Sequence, residues 1–197
     1  MASTPSGFDR RAVERAIAEL LTALGQHAAD EPELAATPAR VADLYEEVLA
    51  GNDRSAEPEL VTFPRPGAER GSPADLVVVR DLPFHSLCVH HLVPFFGRAH
   101  IAYLPGERLI GISAAGRLLE LYARRLQLQE RLTSQVADHL ERIVAPQGVA
   151  VVIEARHLCM EMRGIRKPGT VETRTLRGVL AEPRWAPFLP APSMRDA

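Results

Sequence analysis

The chain has 197 residues, of which 46% are apolar and 24% charged, with a formal net charge of −2. This suits one folded domain with an extension, is too apolar for a disordered chain, and carries no basic excess that would favour nucleic acid as the main partner. Two cysteines make no disulfide scaffold, no apolar run is long enough to cross a membrane, and the first eleven residues carry no export signal, so a cytoplasmic protein is expected.

In chain order, Asp9 is placed to cap a helix with apolar positions Val13, Ile17, Leu20, Leu21 and Leu24, ended by Gly25. A second helix has Thr37 as N-cap, Pro38 in its first turn, a stripe of Val41, Leu44, Tyr45, Val48 and Leu49, and a stop at Gly51. Prolines and glycines over 52–74 predict a linker without long regular structure. Strands are predicted over Leu76–Arg80, Arg98–Leu104 and Leu109–Ile112. A helix capped by Ser113 follows, then another over Gln129–Val144. A long strand over Val149–Met162 and one over Val171–Leu180 come next, and the tail from Pro183 reads as irregular. The order predicts an α+β fold: a helical extension over 1–51, the linker, a main domain over 75–182 and the tail over 183–197.

Both cysteines sit beside histidines, in Cys88-Val89-His90-His91 and His157-Leu158-Cys159. On an extended strand His157 and Cys159 share a face, while Cys88 and His91 converge only if their segment turns. Two thiolates and an imidazole are ligands that zinc favours, and three protein ligands leave a fourth position open, as in catalytic zinc sites. His90 and His157 are then imidazoles available for proton transfer. A closed structural site using all four of Cys88, His91, His157 and Cys159 is the chemical competitor, and two buried cysteines with chance histidine neighbours are the plain alternative.

Two weaker signals follow. Gln129 and Glu130 are suited to the edge of an aminopyrimidine ring, because a carboxylate accepts paired N–H groups; alternatively they form a solvated first turn of a helix. Dispersed arginines, among them Arg40, Arg117, Arg163, Arg166 and Arg174, suit phosphate oxygens. No glycine-rich phosphate loop of the P-loop or dinucleotide-binding type is present.

At these segments the sequence resembles the GTP cyclohydrolase I family, over about Thr37 to Leu180. The pieces are Thr37-Pro38-Ala39-Arg40, Ser86-Leu87-Cys88-Val89-His90-His91, Ile110-Gly111-Ile112-Ser113, Leu126 through Thr133, and His157 through Gly164. The resemblance implies a tunnelling fold, an antiparallel sheet backed by a helix pair with helices added at the N-terminus. It implies sheets joined into barrels, a homodecamer, and sites between subunits. It implies zinc (Zn2+) held by Cys88, His91 and Cys159, and His90 and His157 as catalytic histidines. It gives Gln129 and Glu130 as readers of the guanine edge, and Ser113, Arg117, Arg163 and Arg40 as triphosphate and ribose contacts. The implied reaction is hydrolytic opening of GTP at C8 by zinc-activated water, with His157 protonating N7. Loss of formate and ribose rearrangement then give 7,8-dihydroneopterin triphosphate, without a redox cofactor.

Four positions depart from the family pattern: Val89 replaces a glutamate, Ala114 a lysine, Arg174 a small hydroxyl residue, and His85 an aromatic or small one. Arg174, Lys167 and Arg177 are candidates to restore the charge missing at Ala114, and His85 to add an imidazole near the cluster. Two further readings follow: the same zinc centre acting on a modified or less phosphorylated guanine nucleotide, and a non-catalytic zinc-stabilised subunit. The pair His90 and His157 speaks against the latter, because structural zinc needs neither. No nucleic-acid or membrane partner is expected.

Overall fold

The computed structural model describes residues 7–27, 29–53, 59–68 and 73–189. Helix α1 spans Arg10–Ala23, and Asp9 caps it by accepting a hydrogen bond from the Ala12 N–H at 2.9 Å. Helix α2 spans Thr37–Val48. Its cap is Ala36 and not the expected Thr37, which is already helical with Pro38 beside it. The two helices pack together, and Arg10 bridges them to Asp43 and Glu46. These ion pairs are exposed, so solvent screening leaves them little weight in stability. Beyond α2, the Gly51 N–H donates to the Arg124 carbonyl at 2.9 Å and ties the arm to the body.

The body is a five-stranded sheet in the order β5-β2-β3-β6-β7. Strands β2 (Val77–Cys88), β3 (Pro94–Leu104), β6 (Gly148–His157) and β7 (Thr170–Gly178) are antiparallel neighbours. The two-residue β5 (Leu126–Gln127) runs parallel to the end of β2, so the sheet is mixed and not purely antiparallel as expected. Within the predicted linker, β1 (Thr62–Pro64) pairs with β4 (Arg108–Ile110). The strand expected to stop at Arg80 continues through Pro83, which this largely unpartnered edge of β2 tolerates.

Helices α3 (Ile112–Ala123) and α4 (Gln129–Val144) cover one sheet face. The expected cap of α3, Ser113, lies inside the helix, and Gly111 holds the cap position. Leu118, Leu119, Leu132, Val136 and Leu140 pack there on Phe95, Ile101, Val151 and Ile153. On the other face Ala102, Ala150, Leu180 and Leu189 form a second cluster with Trp185. That cluster draws in the predicted irregular tail, which makes a 3-10 turn over Pro183–Phe188; 190–197 lie outside the described residues. The α+β, tunnelling-type architecture is as expected. No helix among the described residues is long and apolar enough to cross a membrane.

One irregularity sets the orientation of the site. Val77 and Val79 face the helices, but a β-bulge between Val79 and Leu82 inserts an extra residue, and Asp81 adopts φ 56°. A one-residue slip exchanges the faces of a strand. Beyond the bulge Leu82, Phe84, Ser86 and Cys88 therefore face the helices, whereas His85 faces away and stacks on Phe96 at 5.7 Å. The imidazole expected near the cysteine cluster at position 85 is thus on the opposite side of the sheet.

His100 holds the bulge. Its Nδ1 accepts from the Asp81 N–H at 3.1 Å, and the Asp81 carboxylate accepts from Arg98 at 3.1 Å. His100 is 2% exposed, and this burial pushes its pKa down; Asp81 and Glu154 pull it up, and Arg80 and Arg98 push it down. A histidine depressed in the folded state takes up its proton more readily when unfolded. Its contribution is therefore present above the unfolded pKa of about 6.5 and is lost as pH falls through the folded value. The melting temperature of the wild type should fall on acidification below about pH 6.5. His100→Asn, which keeps an acceptor for Asp81, should flatten that slope in melts taken across the range. An unchanged slope would assign it elsewhere.

Candidate active site

The cysteine cluster is built at two chain reversals. β2 ends at Cys88, and the Cys88 carbonyl accepts from the N–H groups of His91 and Leu92, with Leu92 at φ 54°, before β3 begins. This turn supplies the condition set by the three-residue spacing and brings Cys88 Sγ within 3.7 Å of His91 Nδ1. The second reversal differs from the predicted long strand. β6 stops at His157, and the one-turn helix α5 (Leu158–Glu161) carries Cys159 to the cluster. Convergence of His157 and Cys159 therefore comes from a helical turn and not from strand alternation.

The ligand atoms of Cys88, His91 and Cys159 lie within 4.8 Å of one another. Burial raises the Cys159 thiol pKa, and the adjacent Cys88 sulfur raises it further. A cation placed between the two sulfurs would favour their thiolate form. Two soft sulfurs and one imidazole therefore fit zinc with a fourth position open.

His157 stands beside this centre. Its ring lies parallel to Phe95, 4.7 Å between centroids and 3° between planes. Its Nε2 is 2.7 Å from Gln129 Oε1. Burial lowers the His157 pKa, while Glu130 and Glu161 act in the opposite direction. One cavity of about 400 Å³ is lined by His91, Gln129, Glu130, His157, Cys159 and Arg163, among others. Arg163 Nη1 is 3.1 Å from His91 Nε2. His90 is exposed on the same turn, with its ring centroid 6.1 Å from that of His91.

Other expected residues stand apart. Ser113 and Arg117 bond to each other at the start of α3, at 3.0 Å, and Arg40 is exposed on α2; none lines this cavity. Within the pair Gln129 and Glu130, only Glu130 is exposed; Gln129 is 2% exposed. Ala114 is fully buried in the core, so that position closes the helix–sheet packing. Arg174, a candidate to replace the missing cation, bonds to Glu172 on the sheet face away from the helices. Arg177 is bonded to Asp138 of α4. Phe95 and Thr173, which help hold the site in place, gave no signal in the sequence, and Thr133 stood only as the last residue of a family segment. Their roles depend on the β3–β6 and β6–β7 register.

The family model of GTP cyclohydrolase I matches residues 13–186. The chain is 46% identical over 181 residues to GTP cyclohydrolase 1 of Thermobifida fusca, spanning 90% of this chain and 84% of that protein. It is 50% identical over 155 residues to the enzyme of that name from Brucella anthropi, spanning 77% and 71%. For that of Halalkalibacterium halodurans the figures are 46% over 178 residues, spanning 89% and 92%. Among solved structures, the apo archaeosine synthase QueF-Like superposes with a TM-score of 0.41 at 19% identity, covering 53% of this chain and 95% of that one. With a family model spanning most of its length and relatives near half identity, the chain belongs to the GTP cyclohydrolase I family.

Proposed function

We propose that the protein is a zinc-dependent GTP cyclohydrolase I, converting GTP and water to 7,8-dihydroneopterin triphosphate and formate. The observation that carries this reading is the convergence of Cys88, His91 and Cys159, the last two of which line one cavity with His157 and Glu130. Cys88, His91 and Cys159 would hold the zinc, which as a Lewis acid makes water nucleophilic near neutral pH. The Glu130 carboxylate accepts paired N–H groups from the guanine edge. His157 and His90 move protons at the purine as its five-membered ring opens. Arg163, already at the cavity, pairs with phosphate oxygens.

Ser113, Arg117 and Arg40 complete the phosphate and ribose contacts from a neighbouring copy, in a homodecamer with sites between subunits. Support for assembly comes from the surface of one chain. Leu20, Leu24, Leu44, Val61 and Ile112 are each more than half exposed. Among the described residues strand β7 pairs on one side only, as does most of β2, and such edges invite a partner. The reading places the enzyme in the cytoplasm.

The test supplies zinc-loaded protein with GTP and follows formate together with dihydropterin absorbance. Both should appear. Turnover of an 8-modified or less phosphorylated guanine nucleotide in preference to GTP would replace the substrate. Tight zinc without turnover of any purine nucleotide would support a structural subunit instead.

A further inference from the structure

Gln129 occupies the first position of α4, yet its side chain turns inward and is almost wholly buried. Its amide nitrogen lies 3.0 Å from the Ile153 carbonyl, 2.9 Å from the Val171 carbonyl and 3.2 Å from Thr173 Oγ1. Two of these partners are backbone carbonyls, which only accept. The amide therefore cannot be reversed, since its oxygen would then face two other oxygens. Oε1 is left facing His157 Nε2 at 2.7 Å.

The surrounding hydroxyls reinforce this direction. Thr133 Oγ1 donates to the Gln129 main-chain carbonyl at 2.7 Å. Its contact with Thr173 Oγ1 at 2.6 Å must then be donated by Thr173. The two Gln129 amide protons go to the Ile153 and Val171 carbonyls, with Thr173 Oγ1 the more distant neighbour at 3.2 Å.

An oxygen acceptor requires an N–H on the histidine nitrogen that meets it. We infer that Gln129 is a positioning residue that fixes the His157 ring with its Nε2–H directed at Oε1, and not a reader of the substrate. The parallel stack on Phe95, itself fully buried, fixes the plane of the same ring. The nitrogen of His157 available to exchange a proton with a purine is then Nδ1, and reading of the guanine edge falls to Glu130. A neutral imidazole offers one donor and one acceptor, so choosing the wrong tautomer disables proton transfer without disturbing binding. In catalytic terms the inference rests on the cyclohydrolase reading; the tautomer itself does not.

The experiment uses histidine-labelled, metal-loaded protein without substrate. Magic-angle-spinning 15N spectra are recorded for the wild type, for Gln129→Met and for Gln129→Glu, with His157→Asn to assign the resonances. The wild type should show a protonated Nε2 on His157. Gln129→Met removes the acceptor and should mix the tautomers; Gln129→Glu, with its carboxyl protonated so that the second oxygen donates to the Ile153 or Val171 carbonyl, keeps an acceptor oxygen toward His157 and should restore Nε2–H. Turnover of GTP by Gln129→Met should fall about 10–100-fold in kcat with KM little changed. An Nδ1–H tautomer in the wild type, or an unchanged spectrum in Gln129→Met, overturns the inference. So does a raised KM with kcat intact, which is the signature of a substrate reader. Should Gln129→Met fail to fold, the wild-type tautomer and the Gln129→Glu spectrum still decide. If the wild type turns over no GTP, the proposed function falls while the spectra judge the positioning role by themselves.

Discussion

Serine in place of Cys159 should remove metal retention and turnover together. Cys159 is held by α5 next to Cys88 and His91, and serine preserves its volume while exchanging a soft thiolate for a hydroxyl that stays protonated near neutrality. Two ligands then remain of three. Altering groups that merely support metal ligands commonly costs 10–100-fold, so loss of a ligand should lower formate release by more than about 100-fold. Metal content after dialysis should fall to near zero while the circular dichroism of the fold is kept. The double variant Cys88→Ser, Cys159→Ser should be no worse than either single one, because residues that act as a unit are not additive. Full metal content in Cys159→Ser, or losses that simply add, would show the cysteines to be core residues.

Gly97→Ala should be the most damaging small substitution in the sheet. Gly97 lies on β3 opposite Phe84 and Ala155. A methyl group there would collide with the Glu154 carbonyl oxygen and lie 2.7 Å from the Ala155 Cα, so backbone and not a pliable side chain must give way. Overpacking of this kind costs about 3 kcal/mol, which for a chain of this size lowers the melting temperature by roughly 6–12 °C. The effect should reach the chemistry as well. Phe95, two residues earlier, is the platform for His157, and β6 carries His157 at its end. Opening the β3–β6 seam should therefore lower kcat in the protein that remains folded. A variant melting within about 1 °C of the wild type would mean that the seam accommodates a methyl group.

The sequence revealed the helices better than the strands, and chemistry better than geometry. α1 and α4 were legible because their periodicity and boundary residues agree. The group of Cys88, His91 and Cys159 that could hold a metal was legible because two rare residue types recur together. β2 was not, because its bulge breaks the alternation that marks a strand, and Pro83 argues locally against one. The end of β6 was missed because His157-Leu158-Cys159 satisfies strand alternation and a helical turn equally well. Gln129 shows a further limit. Its polarity and adjacency to Glu130 suggest an outward role, and only the register of β6 and β7 brings the carbonyls of Ile153 and Val171 to its amide.

The ligands of the cluster also have a mechanical consequence. Cys88 closes β2, whereas Cys159 lies in the single turn of α5, and the chain between them holds β3, α3, α4 and β6. An ion bound by both ends would cross-link this long loop and reduce the freedom of the unfolded chain far more than a clip between near neighbours. Chelation would thus slacken the whole body of the protein, and a preparation short of metal would be fragile as well as inert.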